Sequence, residues 1–432
     1  MTSNHTRNVR GMYAAPRCEA QTKAGYPCCS PAVAGKKRCH VHGGKGSQGK
    51  SQRQQPTEPS KANLAPDSLL NEPIRSLDQG IRELERAGVD PNLVGAFREV
   101  SRQLSQITPQ RQADLAAARG RSAYYLRKSV QDRALGAMLG LAIGEVVGLT
   151  GDGFERGAYR TIDKMMGGGK LGLPLFHWAG DTATALALMD GLTARNGLDE
   201  ADLMERFDKM LADGVYSCSG SSAGIGETTK EAIARYRTTG DPFAGATFPD
   251  DLDTGSLVRI APVAIRYWND PVKRRDVAAR QSRTTHGGTL ASDACVAFAD
   301  ILADAISGLP REVVLGPREA PESSPVRGLL NSKWRLKRGI EIGSSNNVLH
   351  ALEAGLWCVG TTGNFEEAVL RAANLGEDCG TIAAVTGQLA GALYGTSRIP
   401  GDWGVELPWQ EKLLHMTNVL FDQSWTPEQI PG

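Results

Sequence analysis

Four glycines, Gly136, Gly140, Gly144 and Gly148, stand at every fourth position of one apolar run. Residues four apart lie on the same face of an α-helix, and each glycine costs up to about 1 kcal/mol relative to alanine in a helix interior. A helix with glycine along a whole face therefore needs a compensating reason. Close packing against another helix supplies one, so the spacing predicts two helices in unusually close contact.

A second run of small residues lies near the C-terminus, from Ile382 to Gly395. It follows an acidic turn that contains Gly376, and it is predicted to be a helix that lies deep in a core. Asp378 and Thr381 offer oxygen ligands where this helix begins, a place where a hard cation or a phosphate can sit.

The chain of 432 residues is too long for one small domain, so two or three folded units are expected. From residue 130 onward, helices of ten to twenty residues alternate with Gly, Pro and Asp turns, and alternating β-branched runs are almost absent. We therefore expect residues 130–432 to form an all-α domain. Apolar residues at three- and four-residue steps predict a helical connector over 67–129, with a break at Gly88 to Pro91. Residues 51–66 are predicted to be a flexible linker.

Residues 1–50 carry clustered Cys and His residues with few apolar ones. Cys18, Cys28, Cys39 and His42 can supply a tetrahedral zinc site, with Cys29 and His40 as possible substitutes. The alternative is an unstructured tail with incidental cysteines. The stretch that ends in His42-Gly-Gly resembles a short zinc-ribbon-like motif of bacteria and phages, although Lys45-Gly-Ser follows where that family usually has Ser-Thr-Gly.

Charge sets the N-terminal part apart from the rest of the chain. Residues 1–55 hold ten Lys or Arg against one acid, whereas the whole chain has a net charge of +1. This excess is consistent with binding nucleic-acid phosphates and equally with a solvated tail. No apolar run resembles a signal peptide, and the longest, Leu135 to Thr150, is shorter than the roughly 20 residues of a membrane span. We expect a cytoplasmic protein without a membrane partner.

Six segments, taken in order, resemble motifs of one family. The first is the glycine helix through Asp152, and the second is Trp178-Ala-Gly-Asp181-Thr182. The others begin at Gly224, at Thr254-Gly255-Ser256, at Thr285-His286 and at Asn374-Leu-Gly-Glu-Asp-Cys-Gly-Thr. Together they are similar to the ADP-ribosylglycohydrolases of the type that activates dinitrogenase reductase. Taken alone, Asp181 would be interpreted first as an ordinary helix cap, and the other motifs favour the site.

The resemblance implies a compact all-α domain that removes ADP-ribose from a modified protein or from a small molecule. It assigns catalytic roles to Asp152, Asp181 and Asp378. It implies that Mg²⁺ or Mn²⁺ binds through Asp152, Asp181, Thr182, Asp378 and Thr381. It further implies nucleotide contacts at Gly224, Gly226, Gly255, Ser256 and His286.

The chain departs from the family at three of the implied metal ligands. Ala179, Gly180 and Gly380 replace a Thr and two Asp residues. Hard cations need clustered oxygens, so one or two ions would be held by a depleted site. Two functions stay open: a hydrolase in which metal-assisted water attacks the anomeric carbon, or a weak or inactive protein that binds ADP-ribose or a related nucleotide.

Overall fold

The computed structural model describes residues 68–105, 109–167, 169–247, 252–319, 324–405 and 407–425. The predicted zinc ligands Cys18, Cys28, Cys39 and His42 lie outside these ranges. So do the linker and the basic residues of 1–55. The zinc site and the nucleic-acid contact therefore stay predictions.

The regular structure in the described ranges is helical, which confirms the all-α prediction. The only pairing of strand type recorded there is one isolated parallel bridge between Ala246 and His286. The helices are α1 (Ser68–Arg86), α2 (Pro91–Ser105), α3 (Pro109–Gly148), α4 (Gly180–Ala194), α5 (Glu200–Asp213), α6 (Glu227–Thr239), α7 (Gly255–Val258), α8 (Ala261–Arg266), α9 (Pro271–Arg283), α10 (Thr289–Ser307), α11 (Arg311–Val314), α12 (Val326–Leu330), α13 (Val348–Gly360), α14 (Phe365–Ala373), α15 (Cys379–Tyr394), α16 (Gly401–Val405) and α17 (Gln410–Ser424), with 3-10 turns at Lys333–Leu336, Gly339–Glu341 and Thr396–Arg398.

The chain divides into two compact units after Asp114. In the first, α1 and α2 pack against each other, and the Ser101 hydroxyl donates to Asp78 at 2.5 Å. The turn between these helices contains Gly88, whose φ of 70° lies in the left-handed region that glycine adopts without steric cost. The predicted break at Gly88 to Pro91 thus falls between two helices.

The second unit is built around the contact of α3 with α15. A Cβ on Gly140 would lie 2.8 Å from the carbonyl carbon of Gly387, and one on Gly144 would lie 2.7 Å from that of Ala383. Real Cβ atoms do not approach backbone atoms so closely, so these positions accept only glycine at this helix separation. The predicted close packing of the glycine face is confirmed, and α15 is its partner.

This contact lies in a large apolar core. Met138, Leu141 and Ile143 of α3 and Val385 and Leu389 of α15 are fully buried. No helix within the described ranges combines the length and apolar character that crossing a bilayer requires. The rigid pairing of α3 with α15 fixes the N-terminus of α15, where Asp378 and Thr381 lie.

Candidate active site

The beginnings of α4 and α15 bring the predicted acidic residues together. Asp181 lies in the first turn of α4, Asp378 is the N-cap of α15, and Thr381 follows in the first turn of α15. The Thr381 hydroxyl is close enough to each carboxylate to lower its pKa, and the charge of Asp378 acts on Asp181. Two residues far apart in sequence, Asp181 and Asp378, therefore lie in one cluster beside Thr381.

Glu145 of α3 holds the start of α4 in place. One of its carboxylate oxygens accepts the main-chain N–H groups of Ala179 and Asp181 at 3.0 Å each, and the other accepts that of Thr182 at 2.9 Å. The first N–H groups of a helix have no partner within the helix, and a carboxylate also complements the helix dipole. Glu145 therefore caps α4 from a neighbouring helix. Thr182, a predicted metal ligand, is fully buried in this arrangement.

Asp152 has the corresponding relationship with α15. Its Oδ1 accepts the main-chain N–H of Gly380 at 3.0 Å. The turn that carries Asp152 is joined to the turn before α15 by two hydrogen bonds of 2.6 Å, from Gly153 N–H to Glu377 O and from Glu377 N–H to Phe154 O. Asp152 thus has one oxygen committed to the helix, which leaves the other oxygen for a ligand.

The carboxylates of this cluster repel one another. Burial raises the pKa of Asp181 well above its usual range, and the charges of Glu145 and Asp378 raise it further. Burial and the charge of Asp152 likewise raise the pKa of Asp378 well above the usual range, against hydrogen bonds from Thr381 and Thr254. Burial also raises the pKa of Asp152, and nearby Lys170 opposes that shift. Such a cluster favours the binding of a cation or of a proton.

Main-chain atoms fill the place at position 180 where the resemblance implies a ligand side chain. A Cβ on Gly180 would lie 2.7 Å from the carbonyl carbon of Gly224. Gly224 itself has a φ of 72°, and a Cβ there would lie 2.7 Å from the Cβ of Ala179. The small residues at 179, 180 and 224 therefore depend on one another.

Gly380 has a different environment. A Cβ there would lie 3.0 Å from Oδ1 of Asp152, a side-chain atom, and 3.5 Å from a methyl carbon of Leu149. Side chains can yield where a backbone cannot. Of positions 180 and 380, only 380 has side-chain atoms rather than main-chain atoms nearest to a Cβ.

The loops with the implied nucleotide contacts meet at Asp253, which the sequence interpretation missed. Its Oδ1 accepts the Gly255 N–H at 2.8 Å and faces His286 Nε2 at 3.1 Å. Its Oδ2 accepts from the Thr228 hydroxyl and from Asn346 Nδ2, both at 3.1 Å. Burial alone would raise the pKa of Asp253, but these hydrogen bonds, led by that of His286, hold it well below the usual range.

Asn346 connects this hub to the acidic cluster. Its side-chain oxygen accepts from the Thr254 hydroxyl at 2.7 Å, and the same hydroxyl is 3.4 Å from Oδ2 of Asp378. Asp253 stands directly before the Thr254-Gly255 pair, and Asn346 stands just before α13. The sequence does contain one signal for Asp253. This residue stands two residues before Gly255, a spacing at which an Asp side chain often accepts the N–H of the later residue.

The predicted nucleotide residues fall into two groups. Gly224 and Gly226 lie in the turn before α6, and Gly255 begins α7. The side chains of Ser256 and His286 are instead fully buried. Ser256 Oγ accepts from the Ser282 hydroxyl at 2.9 Å, and both ring nitrogens of His286 have protein partners. Direct ligand contact by these two residues stays a prediction.

The cluster presents oxygen atoms, the donor type that a hard cation prefers. In the ranges that the structure covers, no three His, Cys, Asp or Glu side chains are arranged to hold one ion. Mg²⁺ is commonly bound by one or two carboxylates together with water. Asp378, the free oxygen of Asp152 and the Thr381 hydroxyl match that donor set. The resemblance implies a further ligand side chain at position 180, which Gly180 does not have. A second ion would therefore have one ligand fewer.

Comparison with known proteins agrees with this architecture. Residues 126–429 match the family model described as ADP-ribosylglycohydrolase. The ADP-ribosylarginine hydrolase Tri1 of Serratia proteamaculans is 36% identical over 292 residues, which are 67% of this chain and 79% of that protein. The ADP-ribosyl-(dinitrogen reductase) glycohydrolase of Rhodospirillum rubrum is 30% identical over 64% of this chain and 90% of its own length. A solved structure titled ADP-ribosylglycohydrolase-related protein complex aligns with a TM-score of 0.62 and 34% identity, over 69% of this chain and all of that one.

Proposed function

Because this chain belongs to the ADP-ribosylglycohydrolase family, we propose that it hydrolyses the N-glycosidic bond between ADP-ribose and an arginine side chain of a modified protein. Two of its relatives, from Serratia proteamaculans and Pseudomonas putida, bear the name ADP-ribosylarginine hydrolase. The products would be free ADP-ribose and unmodified arginine.

The observation that carries this proposal is the meeting of Asp181, Asp378 and Thr381 at the beginnings of α4 and α15. Hydrolysis needs a water oriented toward the anomeric carbon and a group that accepts its proton. The carboxylates of Asp181 and Asp378 can orient such a water. Burial and repulsion from neighbouring carboxylates raise the pKa values of both groups, so the pair favours binding of a proton or a cation. Glu145 keeps Asp181 in place by capping α4.

A Mg²⁺ or Mn²⁺ ion would be held by Asp378, Asp152 and the Thr381 hydroxyl. When bound, such an ion orients the ribose hydroxyls and lowers the pKa of a coordinated water. Asp181 lies near this set, since the charges of Asp378 and Asp152 both raise its pKa. The mutual repulsion of the carboxylates supports the proposal, because a dication would relieve it.

The second candidate is a binding protein that retains ADP-ribose without hydrolysing it. Ala179 and Gly180 favour this candidate, since backbone atoms of Gly224 occupy the space of a ligand side chain. The loops around Asp253 would still form a nucleotide cleft. The two candidates share a ligand and differ in turnover.

One experiment separates these candidates. Full-length protein is incubated with ADP-ribosylarginine on a protein, and released ADP-ribose is quantified with Mg²⁺, with Mn²⁺ and with EDTA. Hydrolysis that requires a divalent ion and is lost in Asp378→Asn supports the proposed activity. Calorimetric binding of ADP-ribose without release would establish the second candidate, and absence of both would reject the two together. ADP-ribosylserine serves as the acceptor control.

A further inference from the structure

We propose that Arg259, Thr285 and His286 form a directed hydrogen-bond chain that positions Asp253, and that His286 acts through Asp253 without touching the ligand. Arg259 Nη2 donates to Thr285 Oγ1 at 2.8 Å, Thr285 Oγ1 lies 2.7 Å from His286 Nδ1, and His286 Nε2 lies 3.1 Å from Asp253 Oδ1. The hydrogen-bond chain is argued from these distances alone. Its effect on ADP-ribose binding rests on the proposed function.

The direction of the chain follows from the donors and acceptors available. A guanidinium group can only donate and a carboxylate can only accept. Asp253 can only accept, so Nε2 of a neutral His286 carries the ring hydrogen and donates it. Nδ1 is then an acceptor and takes the hydrogen of the Thr285 hydroxyl, whose oxygen accepts from Arg259. The network therefore selects one tautomer of His286, with the hydrogen on Nε2.

Burial explains why the chain is needed. The side chains of Arg259 and His286 are fully buried, and that of Asp253 is 14% exposed. Burial lowers the pKa of Arg259 only to about 10, so the group is cationic at neutral pH. A buried charge is costly unless polar groups satisfy it. Gln281 accepts two further hydrogen bonds from Arg259, both at 2.8 Å, and the Thr285–His286 pair links this cation to the Asp253 anion.

The outer end of the chain ties three segments together. With Oδ1 fixed by His286, Asp253 holds the Gly255 N–H, and its Oδ2 holds Thr228 and Asn346. Three separate segments, the start of α6, the loop before α7 and the turn before α13, are thus tied to one carboxylate. A Cβ on Gly255 would lie 3.0 Å from His286 Cε1, so the loop rests directly on the imidazole. His286 is accordingly a positioning residue.

The test uses a matched pair of variants in the full-length chain. Thr285→Val keeps the shape of the side chain and removes the hydroxyl, whereas Thr285→Ser keeps the hydroxyl. The tautomer of His286 is read from imidazole 15N shifts, assigned with His286→Gln. The affinity for ADP-ribose is measured by calorimetry, and hydrogen exchange is followed in the segment 252–258. Thermal unfolding identifies any variant that fails to fold.

We expect the wild type and Thr285→Ser to show the Nε2–H tautomer. Thr285→Val leaves Nδ1 without its donor, so it should shift the Nδ1 resonance, exchange faster over 252–258 and bind ADP-ribose about tenfold more weakly, the loss of one buried hydrogen bond. Asp253→Asn is the second variant. Its amide NH2 cannot accept a hydrogen bond, so it would face groups that now donate to the Asp253 carboxylate. It should weaken binding at least as much as Thr285→Val.

Three results would overturn the proposal. One is a doubly protonated or Nδ1–H imidazole in the wild type. Another is a Thr285→Val variant that folds and matches Thr285→Ser in exchange and affinity. The third is Asp253→Asn with unchanged exchange over 252–258. If the wild type does not bind ADP-ribose, the proposed function fails, while the tautomer and the exchange rates still decide whether the chain positions Asp253.

Discussion

Glu145 Oε1 accepts the main-chain N–H of Asp181 at 3.0 Å, so a buried carboxylate of α3 fixes the first turn of the helix that carries the site. Asp152, seven residues later in the chain, does the same for α15 through Gly380. α3 and the turn that follows it thus supply the anchors of both site helices.

Replacing Glu145 by glutamine should destabilise the fold and reduce activity together. Glutamine keeps the size but turns an NH2 group toward main-chain donors that need an acceptor. We expect the free energy of unfolding in urea to fall by about 2 kcal/mol. Glu366→Gln, an exposed acid in the first turn of α14, is the control and should change stability by less than about 0.5 kcal/mol. Equal effects of the two variants would contradict the capping role.

The two lost ligand positions should respond differently to substitution. Gly180→Ala forces a Cβ against the Gly224 backbone, and overpacking of this kind costs about 1–3 kcal/mol. Gly380→Ala meets only the Asp152 and Leu149 side chains and should cost less. Calorimetric titration with Mn²⁺ extends the comparison to carboxylates: Gly380→Asp should bind the ion more tightly, whereas Gly180→Asp should not. Tighter binding in Gly180→Asp would show that the Gly224 loop moves aside.

The glycine face of α3 should be intolerant of any side chain. Gly140→Ala places a methyl group against the Gly387 carbonyl, and we expect a loss of about 3 kcal/mol in the free energy of unfolding. Gly328 lies in α12 with open space around a Cβ, and Gly328→Ala should be neutral or stabilising by up to about 1 kcal/mol. A small effect at Gly140 would mean that α3 and α15 can separate without penalty.

The sequence predicted this packing because a four-residue glycine repeat has few structural explanations. It also predicted Asp181, Asp378 and Thr381 at helix starts, and the structure places them there. It did not predict that the backbone at Gly224 leaves no room for a side chain at Gly180, since that depends on the path of a loop. Nor did it identify Asp253, whose partners Thr228, His286 and Asn346 are distant in sequence and meet only after folding.

Asp253 should give stability a defined dependence on pH. Its pKa is held below the usual value of about 3.9, so the charged form is favoured in the folded state. The contribution is complete above about pH 4 and is lost as the pH falls further. The difference in free energy of unfolding between wild type and Asp253→Asn, about 2 kcal/mol, should be constant from pH 7 to 5 and shrink below pH 4. A difference that grows in acid would have the wrong sign.

The central claim is that Asp378 and Asp181 form a working site for ADP-ribosyl hydrolysis. It is tested most directly by the rate of ADP-ribose release from ADP-ribosylarginine protein by wild type and Asp378→Asn, each with saturating Mg²⁺. We expect steady release by the wild type and a rate at least about 100-fold lower in the variant, the scale of losing one acid–base group. Release at equal rates by both proteins, or none by the wild type, would contradict the account.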